Sequence, residues 1–231
     1  MSNPFDAVII GGGHNGLTCA AYLAKSGHSA CVLERRDVVG GAAVTEEFYP
    51  GFRNSVYSYA LGLLSPMVID DLELERHGLR ILTRQKFKNF YPAPNGEKLL
   101  FPRDRTELQT VLNQRAAGDG DAYLAFEGRL EEIAPTIRRA MAAAPPNLHG
   151  SWRDALTLLQ TSYGARHLSA GAREDLVRLF TMSAADFLEF YFTDELLKGA
   201  VGFDATVGSF QSLCAPGSAY VLLHHVIGEV N

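Results

Sequence analysis

Between Asp6 and Glu34 the chain carries residue types whose order and spacing suit one task, holding a dinucleotide. Gly11, Gly13 and Gly16 follow the G-x-G-x-x-G pattern. In such a site the first glycine allows a tight turn from strand to helix. The second removes a side chain that would keep a pyrophosphate off the backbone, and the third lets the helix pack closely on the strand. The diphosphate then rests on the helix's leading N–H groups, where the aligned peptide dipoles leave partial positive charge. Glu34 stands 21 residues beyond Gly13, where a carboxylate grips the adenosine ribose and so prefers a free 2′-hydroxyl. Gly12, His14 and Asn15 complete the loop. The two side chains offer phosphate contacts, with helix capping as the other role open to Asn15. Arg35 and Arg36 follow the acid. They either accept a 2′-phosphate, which points to NADP, or stand as solvated charges, the reading expected for at least one of them.

These residues need a strand, a helix and a second strand to place them. Ala7-Val8-Ile9-Ile10 is a short apolar run of the kind expected for a parallel strand buried on both faces. Leu17 to Lys25 reads as a helix stopped at Gly27, and Ala30 to Leu33 as the closing strand. A glycine triplet alone is weak evidence, since tight loops are common. Its position between strand and helix, with an acid closing the second strand, carries the assignment.

Composition narrows the rest. The 231 residues are 47% hydrophobic and 20% charged, with a net charge of -5, which describes a globular chain of one large or two small domains. A nucleic-acid partner is disfavoured, because phosphate-backbone binding leaves a basic footprint. No signal peptide fits Met1-Ser2-Asn3-Pro4, and no apolar run is long enough to span a bilayer. Cys19, Cys31 and Cys214 show neither C-x-x-C nor metal spacing. They imply a reducing compartment, the cytoplasm, or the mitochondrial matrix in a eukaryote. Cys19 and Cys31 are expected to be small buried hydrophobes.

A second glycine pair, Gly40-Gly41, follows the ribose acid by one short turn, and a simple NAD site has no need of it. Here the sequence resembles the FAD-binding N-terminus of the amine-oxidase and phytoene-dehydrogenase group of flavoproteins. The resemblance extends through Glu46 to Leu64 and returns at Pro216 to Val230. It implies FAD as cofactor, with Gly11, Gly13 and Gly16 at the pyrophosphate, Glu34 at the ribose and Gly40-Gly41 alongside. The fold expected is α/β: a Rossmann-like βαβ FAD-binding unit over residues 1–80, then a largely helical α+β substrate domain over 81–231 whose end returns toward the first. Because members of the group continue further, the chain is read as the N-terminal part of a longer oxidoreductase, an incomplete flavoprotein fold. Unpaired sheet edges then predict a homo-oligomer or other association. The activity implied is hydride transfer to flavin from an apolar or lipidic small molecule, with peripheral membrane contact by analogy. An NAD(P)-binding dehydrogenase is the alternative, and a non-catalytic interaction module that keeps the nucleotide-binding fold is a third reading.

Beyond this unit the signals are structural. Asp70 to Gly78 reads as a short charged helix. Lys86–Tyr91 and Lys98–Phe101 read as strands joined at Asn95-Gly96, a hairpin signal. Residues 104–203 read as helical, with Phe126, Leu130, Ile133, Ile137 and Met141 forming an apolar stripe that Pro135 kinks. Pro145-Pro146 is a break. Ser151 with Asp154, Ser183 with Asp186, and Thr193 before Asp194 mark helix starts. Phe187, Phe190, Tyr191 and Phe192 are read as core, and His224-His225 as structural rather than metal-binding. No catalytic acid or base stands out.

Overall fold

The computed structural model describes residues 4–58, 61–82, 87–142 and 164–228. These divide into two compact units, one running to Ile81 and including Gly228, the other from Leu82 to Ile227.

In the first unit, strand β1 (Ala7–Ile10), helix α1 (His14–Lys25) and strand β2 (Ala30–Leu33) form a βαβ turn. The strands are parallel, in register from Ala7 opposite Ala30 to Ile10 opposite Leu33. Asp6 fixes their start: its Oδ2 accepts from the Ser29 N–H at 2.8 Å and the Ser29 hydroxyl at 2.7 Å. The helix starts three residues earlier than the sequence predicts. Gly27 follows it with φ +87°, a left-handed conformation that glycine adopts freely. β1 departs from expectation. Ile9 faces α1, but Val8 and Ile10 on the other face are 57% and 89% exposed. Among the described residues the sheet has two strands, and α1 covers one side of it. Cys19 is exposed and Cys31 intermediate rather than buried, for the same lack of a second layer.

A hairpin follows that the sequence reading did not separate. β3 (Thr45–Tyr49) pairs antiparallel with β4 (Phe52–Ser55) around Pro50-Gly51, with Gly51 at φ +83°. Helix α2 (Pro66–Asp71) has proline in its first turn. Of the charged helix expected over 70–78 only Asp70 and Asp71 are helical, as the end of α2; residues 72–78 are a run of turns, since Glu73 takes φ +49° and interrupts the ladder. The Tyr22 hydroxyl donates to Asp71 Oδ2 at 2.7 Å, pinning α2 to α1.

The second unit opens with hairpin β5 (Phe87–Pro92) and β6 (Lys98–Pro102), turning at Gly96 with φ +84°. Helices α3 (Arg105–Arg115) and α4 (Asp119–Ala142) come next. After them are α5 (Ala170–Thr181), α6 (Ala184–Glu189), α7 (Glu195–Asp204), a 3₁₀ segment (Ser218–Leu223) and α8 (His224–Ile227). α4 continues through Pro135 for 24 residues. Its stripe is buried at Phe126, Leu130 and Ile133, but Met141 is 66% exposed. Phe187 and Phe192 are buried with Tyr191 packed on them. Phe190, by contrast, is exposed beneath the Arg178 guanidinium, 4.7 Å from its ring centre.

The helix starts are fixed by caps. Ser183 and Asp194 accept from the third N–H of α6 and α7 at 3.0 and 2.7 Å. Buried Asp119 accepts from the Thr193 and Asp194 amides and the Thr193 hydroxyl, which anchors the lead into α7. Ser151, Asp154 and Pro145-Pro146 lie outside the described residues, as do Lys86 and the His225 side chain.

Candidate dinucleotide site

The βαβ turn gathers the glycine loop, the acid and the second glycine pair. Gly11 leaves β1 with φ +102°, and its N–H donates to Leu33 O at 2.8 Å, so the loop departs from the last paired position of the sheet. Gly16 is where helix meets strand: a Cβ there would lie 2.1 Å from Gly11 O and 3.2 Å from Ile9 Cγ2. No side chain fits.

Gly13 is the helix N-cap, with extended backbone at φ -78° and ψ 175°. Asn15 therefore does not cap α1. It lies inside the first turn, beside His14, and both side chains are exposed. No side chain caps α1 and its first turn holds no acid. Its leading N–H groups thus keep their capacity for an anion. A Cβ on Gly13 would meet only Gly41 Cα, at 3.8 Å, so the space over this residue is open.

Gly40-Gly41 closes the other side. The Gly40 N–H donates to Gly12 O at 2.7 Å, and Gly40 forms an isolated parallel bridge with Gly13. Gly41, at φ +57°, approaches so closely that a Cβ on it would lie 2.9 Å from Gly13 Cα. The first and second glycine turns are one backbone cluster.

Glu34 sits across the loop. Its Oε2 accepts from the Gly12 N–H at 2.7 Å and its Oε1 from the Arg36 N–H at 3.0 Å. These two amides, Arg36 first, hold its carboxyl below the usual glutamate range. A Cβ on buried Gly12 would lie 3.1 Å from Val39 Cγ1 and 3.2 Å from Glu34 Oε2, so a side chain here would press on both neighbours. Each carboxylate oxygen keeps a second lone pair that a ribose hydroxyl can use. The Arg36 side chain is ion-paired with Glu46 on β3, which raises its pKa. Arg35 is exposed.

The residues present fit a diphosphate and a ribose: an uncapped helix start, a loop with open space at its centre and an ionised acid beside it. Glu46 is the residue in this cluster that the sequence reading did not single out. Its only signal was an acid twelve residues past Glu34.

The second unit has a cavity of about 660 Å³ between the β5–β6 turn and the start of α7. Arg115 crosses it, paired with Glu97 at 3.2 Å and Asp194 at 3.0 Å. Its main charges are committed to one another. Among the described residues no helix is long and apolar enough to cross a membrane.

Residues 9–68 match the NAD(P)-binding Rossmann-like domain family. Along 98% of its length the chain is 37% identical to pyridine nucleotide-disulfide oxidoreductase domain-containing protein 2 of Rattus norvegicus, of which it spans 41%. Over 76 residues it is 50% identical to a limonene dehydrogenase chain of Castellaniella defragrans, covering 32% of this chain and 13% of that one. A putrescine oxidase solved with putrescine bound shares the fold, with TM-score 0.52 and 20% identity over 97% of this chain and 44% of its own.

Proposed function

We propose, on the premise that this chain is a relative of pyridine nucleotide-disulfide oxidoreductase domain-containing protein 2, that its first unit holds the adenosine diphosphate half of FAD. The observation that carries this reading is the bridge between Gly13 and Gly40. A site for NAD alone has no use for a second glycine turn folded against the first. The leading N–H groups of α1 receive the diphosphate, Gly13 gives it room, and Glu34 accepts from the ribose hydroxyls. When bound, flavin supplies the capacity to take up a hydride.

In this reading residues 1–80 form the cofactor domain and 81–231 a substrate domain, whose aromatic residues Phe126, Phe187, Tyr191 and Phe192 pack its own core. The substrate is a small apolar or lipidic molecule that gives up hydride. The uncovered face of β1 and β2 makes self-association part of the same reading.

The match of residues 9–68 to an NAD(P)-binding family favours a second reading, a nicotinamide-dependent dehydrogenase. An absorbance spectrum of the purified chain separates the two. Bound flavin absorbs in the blue, either as purified or after FAD is added and the excess removed. A colourless protein that retains no added FAD overturns the first reading. Nicotinamide fluorescence titration then tests the second.

A further inference from the structure

We propose that Glu46 sets the selectivity of the nucleotide site for a free ribose 2′-hydroxyl, by holding the Arg36 guanidinium and adding a second carboxylate beside Glu34. This rests on the reading of the glycine loop and Glu34 as a dinucleotide site.

An arginine just past the ribose acid is the group that would accommodate a 2′-phosphate, and this chain offers Arg36 there. Its backbone is fixed first, because the Arg36 N–H donates to Glu34 Oε1 at 3.0 Å. Its side chain then runs to Glu46 Oε1. Glu46 is held in turn by the hairpin, paired with Asn54 across β3 and β4. The guanidinium is thus ion-paired with Glu46 on β3 and also feels the charge of Glu34, one residue past the end of β2. The trio has a net charge of -1 before any ligand arrives.

A ribose hydroxyl needs only an acceptor, which Glu34 supplies. A 2′-phosphate must take Arg36 from Glu46 and then face both acids. The Arg36–Glu46 pair is 48% and 41% exposed, and exposed pairs are individually weak. The discrimination therefore comes from the summed charge near the ribose. It should be modest and sensitive to salt.

The test compares ADP-ribose with its 2′-phosphate by titration calorimetry on the whole chain at low ionic strength. Glu46→Gln should shift the affinity ratio of the two ligands about tenfold toward the 2′-phosphate, and added salt should shrink the shift. The double variant Arg36→Gln with Glu46→Gln should lose that gain. Arg36→Gln alone provides a measurement independent of whether Glu46→Gln folds. With Glu46 holding the guanidinium, it should barely weaken 2′-phosphate binding. An unchanged ratio in Glu46→Gln, or a large loss of 2′-phosphate affinity in Arg36→Gln alone, overturns the assignment of selectivity to Glu46 while leaving the dinucleotide site intact. Failure of the parent chain to bind ADP-ribose overturns the dinucleotide reading, and this proposal with it.

Discussion

The Gly12 amide nitrogen donates to Glu34 Oε2 across 2.7 Å, joining the glycine loop directly to the acid that follows β2. Glu34 thus has a structural duty besides its proposed ligand duty, and two substitutions separate them. Glu34→Gln keeps an acceptor for the Gly12 N–H but removes the charge. It gives up the acceptor for the Arg36 N–H, so it should weaken ADP-ribose binding and cost some stability, but less than Glu34→Ala. Glu34→Ala also leaves the buried Gly12 amide without that acceptor and should lose about 1–3 kcal/mol of stability. Denaturant unfolding alongside calorimetry checks both; equal stability of the two variants would show that the Gly12 contact contributes nothing.

Gly13 and Gly16 should fail in different ways when changed to alanine. At Gly13 the backbone is extended and the added methyl meets only Gly41 Cα at 3.8 Å. The fold should survive while the methyl occupies the diphosphate's space and binding falls. At Gly16 the methyl would lie 2.1 Å from Gly11 O. Helix and strand must separate, costing about 1–3 kcal/mol. Circular dichroism melts read the second effect and nucleotide titration the first.

Asp204 should make stability fall as pH rises through the acid range. Burial raises its carboxyl to about 6, with nearby His224 opposing the shift. Between the ordinary aspartate value and that raised value the folded chain binds more protons than the unfolded one. Stability therefore drops across roughly pH 4 to 6 and levels off above, by up to about 3 kcal/mol from this group. Asp204→Asn should flatten the slope and be more stable than the parent at neutral pH. Urea titrations at several pH values check this.

The exposed face of β1 should drive self-association. Replacing Val8 and Ile10 with serine removes apolar surface that is 57% and 89% exposed, and should lower the average mass seen in light scattering. A monomeric parent chain would count against association through this face.

The βαβ turn and its site were legible because their determinants are local. The strand run, three glycines and an acid lie within about thirty residues, and each type has one physical job. The 87–102 hairpin was legible for the same reason, through Asn95-Gly96. The β3–β4 hairpin was not, since Thr45-Glu46-Glu47 shows no apolar alternation and only Pro50-Gly51 marks the turn. The exposure of Val8, Ile10 and Cys19 was illegible too: residue type reports a preference for burial, not whether a covering layer exists. The helix expected over 70–78 failed at Glu73, where a left-handed residue ended what composition favoured. The Arg36–Glu46 pair could not be read because it depends on how β3 lies beside the loop, a relation no local pattern records.

Under the proposed function, the bridge between Gly13 and Gly40 would bear on how fast and how tightly a nucleotide is captured. A glycine-rich loop is ordinarily floppy and must surrender that freedom when it closes on an anion. Here the neighbouring turn holds the loop by the Gly40–Gly12 hydrogen bond, so in the proposed site a diphosphate would meet amides already aligned, and the entropy otherwise lost in ordering the loop would remain as affinity.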